Sequence, residues 1–220
     1  MAKKIDNGVN KFDQTAMSTD YKKILSFELG NDENWRGNAV SLPEDIIEYT
    51  NITCLEIGYN KIEHLSADIF RNFGKLLEVY FNHNRISEIP TSIGLLKKLE
   101  ILTINNNPIK HIPHELTECI SLESFAANHC ELESLPKELG NLKSLEVLLL
   151  NDNHLSSLPE TIGKLNQLYR LELKNNKLKY LPDSFSNLTS LKQLDLRGNY
   201  IDTIYLEKLK KKLPKCEIKQ

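Results

Sequence analysis

Apolar residues recur along this chain in a fixed order. In "LLEVYFNHNRISEIP", beginning at Leu76, the order is apolar-x-x-apolar-x-apolar-x-x-Asn-x-apolar-x-x-apolar-Pro. It returns in "LEILTINNNPIKHIP" from Leu99, "LESFAANHCELESLP" from Leu122, "LEVLLLNDNHLSSLP" from Leu145 and "LYRLELKNNKLKYLP" from Leu168, each 23 residues after the last. It extends back to "ITCLEIGYNKIEHLS" at Ile52, with one extra residue in the return segment, and forward to "LKQLDLRGNYIDTIY" at Leu191, making seven coils. Self-similarity at such a period marks a solenoid.

Inside each coil the alternation of apolar and other residues has the period of a strand. Val79 and Phe81, or Leu148 and Leu150, therefore point to one face. One coil cannot bury that face alone. Stacked coils can, and their short strands then pair in parallel. Pro90, Pro113, Pro136, Pro159 and Pro182 have no N–H and suit the return segment rather than an inner strand. Ile93, Leu116, Leu139, Ile162 and Phe185, just beyond them, are predicted to pack inward from short 3₁₀ or single-turn segments.

The repeated Leu-x-x-Leu-x-Leu-x-x-Asn-x-Leu pattern with its Leu-Pro step resembles the leucine-rich repeat family. The 23-residue spacing is most like the intracellular type of scribble-like, Ras-suppressor-like and bacterial repeat proteins. The resemblance covers Ile52 to about Ile204. It implies an α/β fold: a right-handed solenoid or horseshoe, with a parallel sheet on the concave face and short 3₁₀ or helical turns on the convex face. It also implies that Asn60, Asn84, Asn107, Asn153, Asn176 and Asn199 turn inward and bond backbone groups of adjacent coils. Such a ladder satisfies groups that the tight turn would otherwise bury unpaired. Cys130 holds that position in the fourth coil, so "NHC" around it is structural, and His129 is its solvent-side neighbour rather than its base.

An exposed solenoid end is apolar and needs a cap. Residues 1–20 are expected to be flexible and 21–51 to form an N-terminal cap, in which Leu25, Phe27 and Leu29 alternate like a strand and Leu42-Pro43 with Ile46 or Ile47 is a degenerate repeat. Seven repeats fill 52–204. In the C-terminal cap, 205–220, a helix closes the core with Leu206, Leu209 and Leu213, and a last strand contains Cys216 and Ile218. The lysines of "EKLKKKLPK" form the wet face of that helix.

Composition narrows the function classes. A formal net charge of −2 gives no general attraction to nucleic acid or anionic membrane. No apolar run approaches the roughly 20 residues that span a bilayer, and the polar start lacks a signal peptide's apolar segment. Four scattered cysteines form no close-spaced disulfide framework. A cytoplasmic protein is expected, with export lacking a classical signal as the other route. His111 and His114 have a metal-like spacing, but Pro113 separates them in a return loop without a third ligand. "GNDENWRGN" has neither the glycine spacing nor the lysine of a nucleotide site, and no Gly-x-Ser-x-Gly elbow is present. No cofactor is expected.

In the resembling family, strand residues between the inward leucines line the concave face and meet the partner. Here they include Glu56, Glu78, Tyr80, Asn82, Ile101, Thr103, Asn105, Asn128, Val147, Leu149, Asn151, Arg170, Glu172, Lys174, Asp195 and Arg197. The columns run from acidic in the first coils, through apolar, to partly basic at the end. Ile101, Val147 and Leu149, with Tyr80 at the edge, form an apolar centre with a polar rim, the anatomy of a binding patch. The competing explanation is that Val, Ile and Tyr simply suit strands. The expected function is a non-catalytic, monomeric module or scaffold binding a protein partner, without nucleic-acid binding or membrane insertion. A regulatory subunit of a phosphatase or GTPase pathway and a bacterial effector acting on host proteins are the alternatives. The ubiquitin-ligase domain that follows the repeats in some bacterial members is not expected, since the cap ends at Gln220.

Overall fold

The computed structural model describes residues 26–28 and 38–220. Its strands are β1 (Ser26–Glu28), β2 (Cys54–Glu56), β3 (Glu78–Tyr80), β4 (Ile101–Thr103), β5 (Ser124–Ala126), β6 (Val147–Leu149), β7 (Arg170–Glu172), β8 (Gln193–Asp195) and β9 (Glu217–Lys219). They form one sheet in chain order, and every neighbouring pair is parallel. The repeat period sets the register: Val79, Leu102, Phe125, Leu148, Leu171 and Leu194 lie side by side, all buried.

Each strand is three residues long because the chain must turn back within one coil. The return runs through 3₁₀ turns at Glu44–Glu48, Thr91–Leu95, His114–Glu118, Leu139–Asn141, Glu160–Lys164 and Asp183–Asn187. Pro43, Pro90, Pro113, Pro159 and Pro182 each precede one, with φ between −58° and −67°. That is the angle the ring enforces, so the turn entry is preset. The coil starting at Ile52 has no such proline. It returns through Ser66–Phe73 hydrogen-bonded turns that bury Ile69, Phe70 and Phe73, which accommodates its extra residue.

Ile93, Leu116, Leu139, Ile162 and Phe185 are buried to 1% exposure or less, closing the core from the side opposite the sheet. Gly94, Gly140 and Gly163 lie against the next coil so closely that a Cβ would stand 2.8, 2.2 and 2.3 Å from the carbonyl oxygens of Glu115, Thr161 and Ser184. Close stacking of the return segments therefore depends on missing side chains.

At the end of the chain, α1 (Thr203–Lys212) starts at Asp202, whose carboxylate accepts the N–H groups of Ile204 (2.8 Å) and Tyr205 (3.2 Å). Lys210, Lys211 and Lys212 sit in its last turn, where cations suit the helix dipole. Leu206, Leu209 and Leu213 are buried over the last coil. Cys216 falls just before β9 rather than within it. At the other end, Ile46 is buried and Ile47 is 47% exposed, so Ile46 makes the core contact of the degenerate repeat. The backbone of Phe27 pairs in register with Leu55. The expectations for residues 1–20, Leu25 and Leu29 lie outside the described residues.

Candidate protein-binding face

Two neighbouring columns of side chains govern what the open face of the sheet can offer, and both are built on asparagine. The first is the inward ladder. Asn84 Nδ2 donates to Ile57 O (2.8 Å) and Phe81 O (3.2 Å), while its Oδ1 accepts the N–H of Ile62 (3.1 Å). Asn107, Asn153, Asn176 and Asn199 repeat the arrangement, each linking its own turn to the preceding coil. Asn60 does the same with Ala39 N and Ile57 O. Cys130 keeps half of this: Sγ donates to Ile104 O at 3.3 Å. It supplies no oxygen acceptor, and the N–H of Ile109 bonds Asn107 O instead (2.8 Å). Burial pushes the Cys130 thiol up to about 11. His129 lies 3.5 Å from Asp152 Oδ2, on the exposed side.

The second column was expected to meet a partner, and the structure gives it internal work. Asn82 Oδ1 accepts both the backbone and side-chain N–H of Asn105 (2.9 Å each). Asn105 Oδ1 does the same for Asn128 (2.7 and 3.0 Å). Asn128 Oδ1 then takes Asn151 N (2.8 Å), and Asn151 Oδ1 takes Lys174 N (2.9 Å). These amides continue the backbone ladder where the strands end, and each of Asn82, Asn105, Asn128 and Asn151 still has a side-chain N–H beyond these bonds.

A third column was not anticipated from the sequence. Tyr59, His83, Asn106, His129, Asp152 and Asn175 all have φ between 52° and 57°, and Gly198 has 70°. The left-handed turn lets each coil pass from strand to return, and Asn, Asp, His and Gly tolerate it best. Their side chains also interact: Tyr59 stacks on His83 with centroids 4.3 Å apart, and Asn175 Nδ2 donates to Asp152 Oδ1 at 2.7 Å. The signal was available, since the residue before each ladder position is Tyr, His, Asn, His, Asp, Asn or Gly. A polar groove of about 590 Å³ runs beside this column from Tyr59 to Lys219.

The remaining outward positions carry the distinctive chemistry. Ile101, Ser124 and Val147 lie in one row across β4, β5 and β6, and Thr103, Ala126 and Leu149 in the next. Ile101, Val147 and Leu149 are half-buried; Ala126 is buried. Tyr80, in register with Thr103, donates its hydroxyl to Glu78 Oε2 at 3.0 Å. Burial, then the Glu78 carboxylate, raises its phenol above the ordinary tyrosine range. Glu56, on β2, is exposed. On the other side Arg170 Nε donates to Glu172 Oε1 (2.9 Å), and Arg197 Nε to Asp195 Oδ1 (2.9 Å). Asp195 is 8% exposed, and Arg197 holds its carboxyl below the usual carboxylate range. The expected patch residues are thus on one face, while beyond them Arg170 is paired with Glu172 and Arg197 with Asp195.

His111 and His114 are both exposed. Among the described residues no group of three or more His, Cys, Asp or Glu side chains is placed to hold a metal, and no helix is long and apolar enough to cross a membrane.

Two family models match the chain: a leucine rich repeat at residues 50–109 and a leucine-rich repeat region at 119–213. A leucine-rich repeat protein of Leptospira interrogans is similar in structure, with a TM-score of 0.82 and 34% identity over 90% of this chain and 49% of its own. The ectodomain of the Arabidopsis thaliana membrane receptor kinase GASSHO1/SCHENGEN3 superposes with a TM-score of 0.74 and 26% identity, covering 90% of this chain and 24% of that one. Among curated proteins, the Schizosaccharomyces pombe CCR4-Not complex 3'-5'-exoribonuclease subunit Ccr4 is 44% identical over 50 residues, 23% of this chain and 7% of that protein. The chain thus spans about half the length of the Leptospira protein and a small part of Ccr4. The seven-coil repeat, the parallel sheet with its asparagine ladder, the family models and the solved relatives agree: the chain belongs to the leucine-rich repeat family.

Proposed function

We propose that this chain is a non-catalytic protein-interaction module whose concave sheet face takes a protein partner. The observation that carries the reading is the set Ile101, Val147 and Leu149. These aliphatic side chains stand on the outward side of β4 and β6, where solvent-facing sheet positions are normally polar. The Arabidopsis thaliana receptor-kinase ectodomain supports the reading by analogy: it was solved in complex with CASPARIAN STRIP INTEGRITY FACTOR 2.

A pull-down from native cell extract, followed by affinity measurement with the recovered partner, tests the assignment. The double change Tyr80→Ala, Leu149→Ser should weaken binding by about 2 kcal/mol or more, as truncated hot spots do. Lys137→Glu and Lys164→Glu, exposed on the return side, should leave it unchanged. Wild-type affinity in the double variant, with binding lost in the return-side variants, would assign the partner to the convex face.

A further inference from the structure

Charge is unevenly distributed over the open face. Among its described outward positions, those of β2 to β6 include no lysine or arginine, and the ionisable acids there are Glu56 and Glu78. Among the described residues, the cations of the face lie in or just after β7 to β9: Arg170, Lys174, Arg197 and Lys219. Arg170 and Arg197 are paired with Glu172 and Asp195. Lys174 has no ion pair among the described residues. The aliphatic patch lies between these two ends, and Glu78 with Tyr80 borders it directly on β3.

We infer that this face takes an extended partner segment that is basic at one end and aliphatic in the middle, a lysine or arginine lying over Glu78 and Tyr80 and apolar side chains over Ile101, Val147 and Leu149. The inference rests on the concave reading above and adds the chemistry of the occupant and its direction across the strands. Glu78 keeps one carboxylate oxygen beyond its bond to Tyr80 as acceptor for a partner cation, and among the described residues no cation of the β2–β6 face competes for it. In the reverse orientation the basic end would lie toward Arg170, Lys174 and Arg197, where like charge opposes it. From β3 to β6 is three strand spacings, about 14 Å at about 4.8 Å each, the length of about four extended residues. A short linear segment is long enough to reach both features.

The probe is a displayed library of random peptides selected on the full chain, with enriched sequences then made as free labelled peptides for Kd measurement. The selected peptides should carry Lys or Arg to one side of an aliphatic cluster. Glu78→Lys should weaken them about tenfold or more. Replacing their basic residue with Glu should restore affinity for Glu78→Lys while reducing it for wild type. Leu149→Ser should weaken both sets, and melting curves confirm that each variant is folded. Failure to enrich peptides, enrichment without a basic end, or affinities indifferent to Glu78→Lys would overturn the inference. If indifference to Glu78→Lys came with binding lost in Leu149→Ser, the concave reading would survive it. Loss in Lys137→Glu or Lys164→Glu, with Leu149→Ser unaffected, would overturn the concave reading itself.

Discussion

The side-chain amide of Asn107 bonds the carbonyl of Phe81, 2.9 Å away in the preceding coil. Its Oδ1 accepts the N–H of Ile86 at 3.0 Å, so one side chain satisfies a donor and an acceptor of a coil it does not belong to. Stability in a solenoid is a sum of repeats and nearest-neighbour interfaces, and this contact belongs to the interface.

Truncating a ladder residue should therefore leave buried backbone groups unpaired. Asn107→Ala and Asn153→Ala are expected to cost roughly 1–3 kcal/mol each. Cys130→Asn should cost much less, because the new Oδ1 could accept the Ile109 N–H that now bonds Asn107 O. Urea unfolding of the three variants beside wild type measures the difference. Equal midpoints would remove the ladder from the account of stability.

Glycine at the return segments makes a second, independent prediction. Gly163→Ala places a methyl group 2.3 Å from Ser184 O, so the two coils must separate. Overpacking of this kind costs typically about 1–3 kcal/mol. Gly74 has no atom within 4 Å of a built Cβ, and Gly74→Ala should change stability by no more than about 0.5 kcal/mol. Thermal melts of both variants suffice. A Gly163→Ala protein as stable as Gly74→Ala would mean that the stack opens without cost.

The fold was legible because its causes are periodic. Each inward leucine, each turn proline and each ladder asparagine recurs, so one misassigned residue could not hide the rest. The face was less legible. The internal bonding of Asn105 was hidden, since nothing in the sequence shows that its Oδ1 reaches the N–H of Asn128 in the next coil. Arg197 and Asp195 likewise appear as two surface charges, whereas the fold joins them and buries the acid. Side chains two residues apart on a strand share a face, a proximity the columns list separately.

That pair gives a pH dependence with a definite sign. The Arg197 hydrogen bonds depress the Asp195 carboxyl pKa in the folded state, below an unfolded value near 3.9. Its contribution to stability is fully present above that unfolded value and is lost as pH falls through the folded one. Asp195→Asn should thus be less stable than wild type at neutral pH, and the gap should close below about pH 4. Denaturant titrations at several pH values provide the comparison. A gap that stayed constant down to pH 2 would show that the carboxylate charge is not what stabilises this site.

The left-handed column yields the last test, at His129. Its φ of 52° is a conformation that costs ordinary L-residues roughly 1–2 kcal/mol. Glycine has no such penalty, asparagine visits the region readily, and a β-branched side chain is the least suited to it. His129→Asn should be close to neutral. His129→Gly should also be tolerated, since relief at the turn offsets glycine's greater loss of backbone freedom. His129→Val should be the least stable, although the site is exposed and would otherwise accept valine without much change. Loss of the His129 contact with Asp152, 3.5 Å away on the surface, is common to all three changes and cannot produce the order. If valine matched glycine in unfolding midpoint, the turn would have rearranged, and this column would not constrain the passage from strand to return.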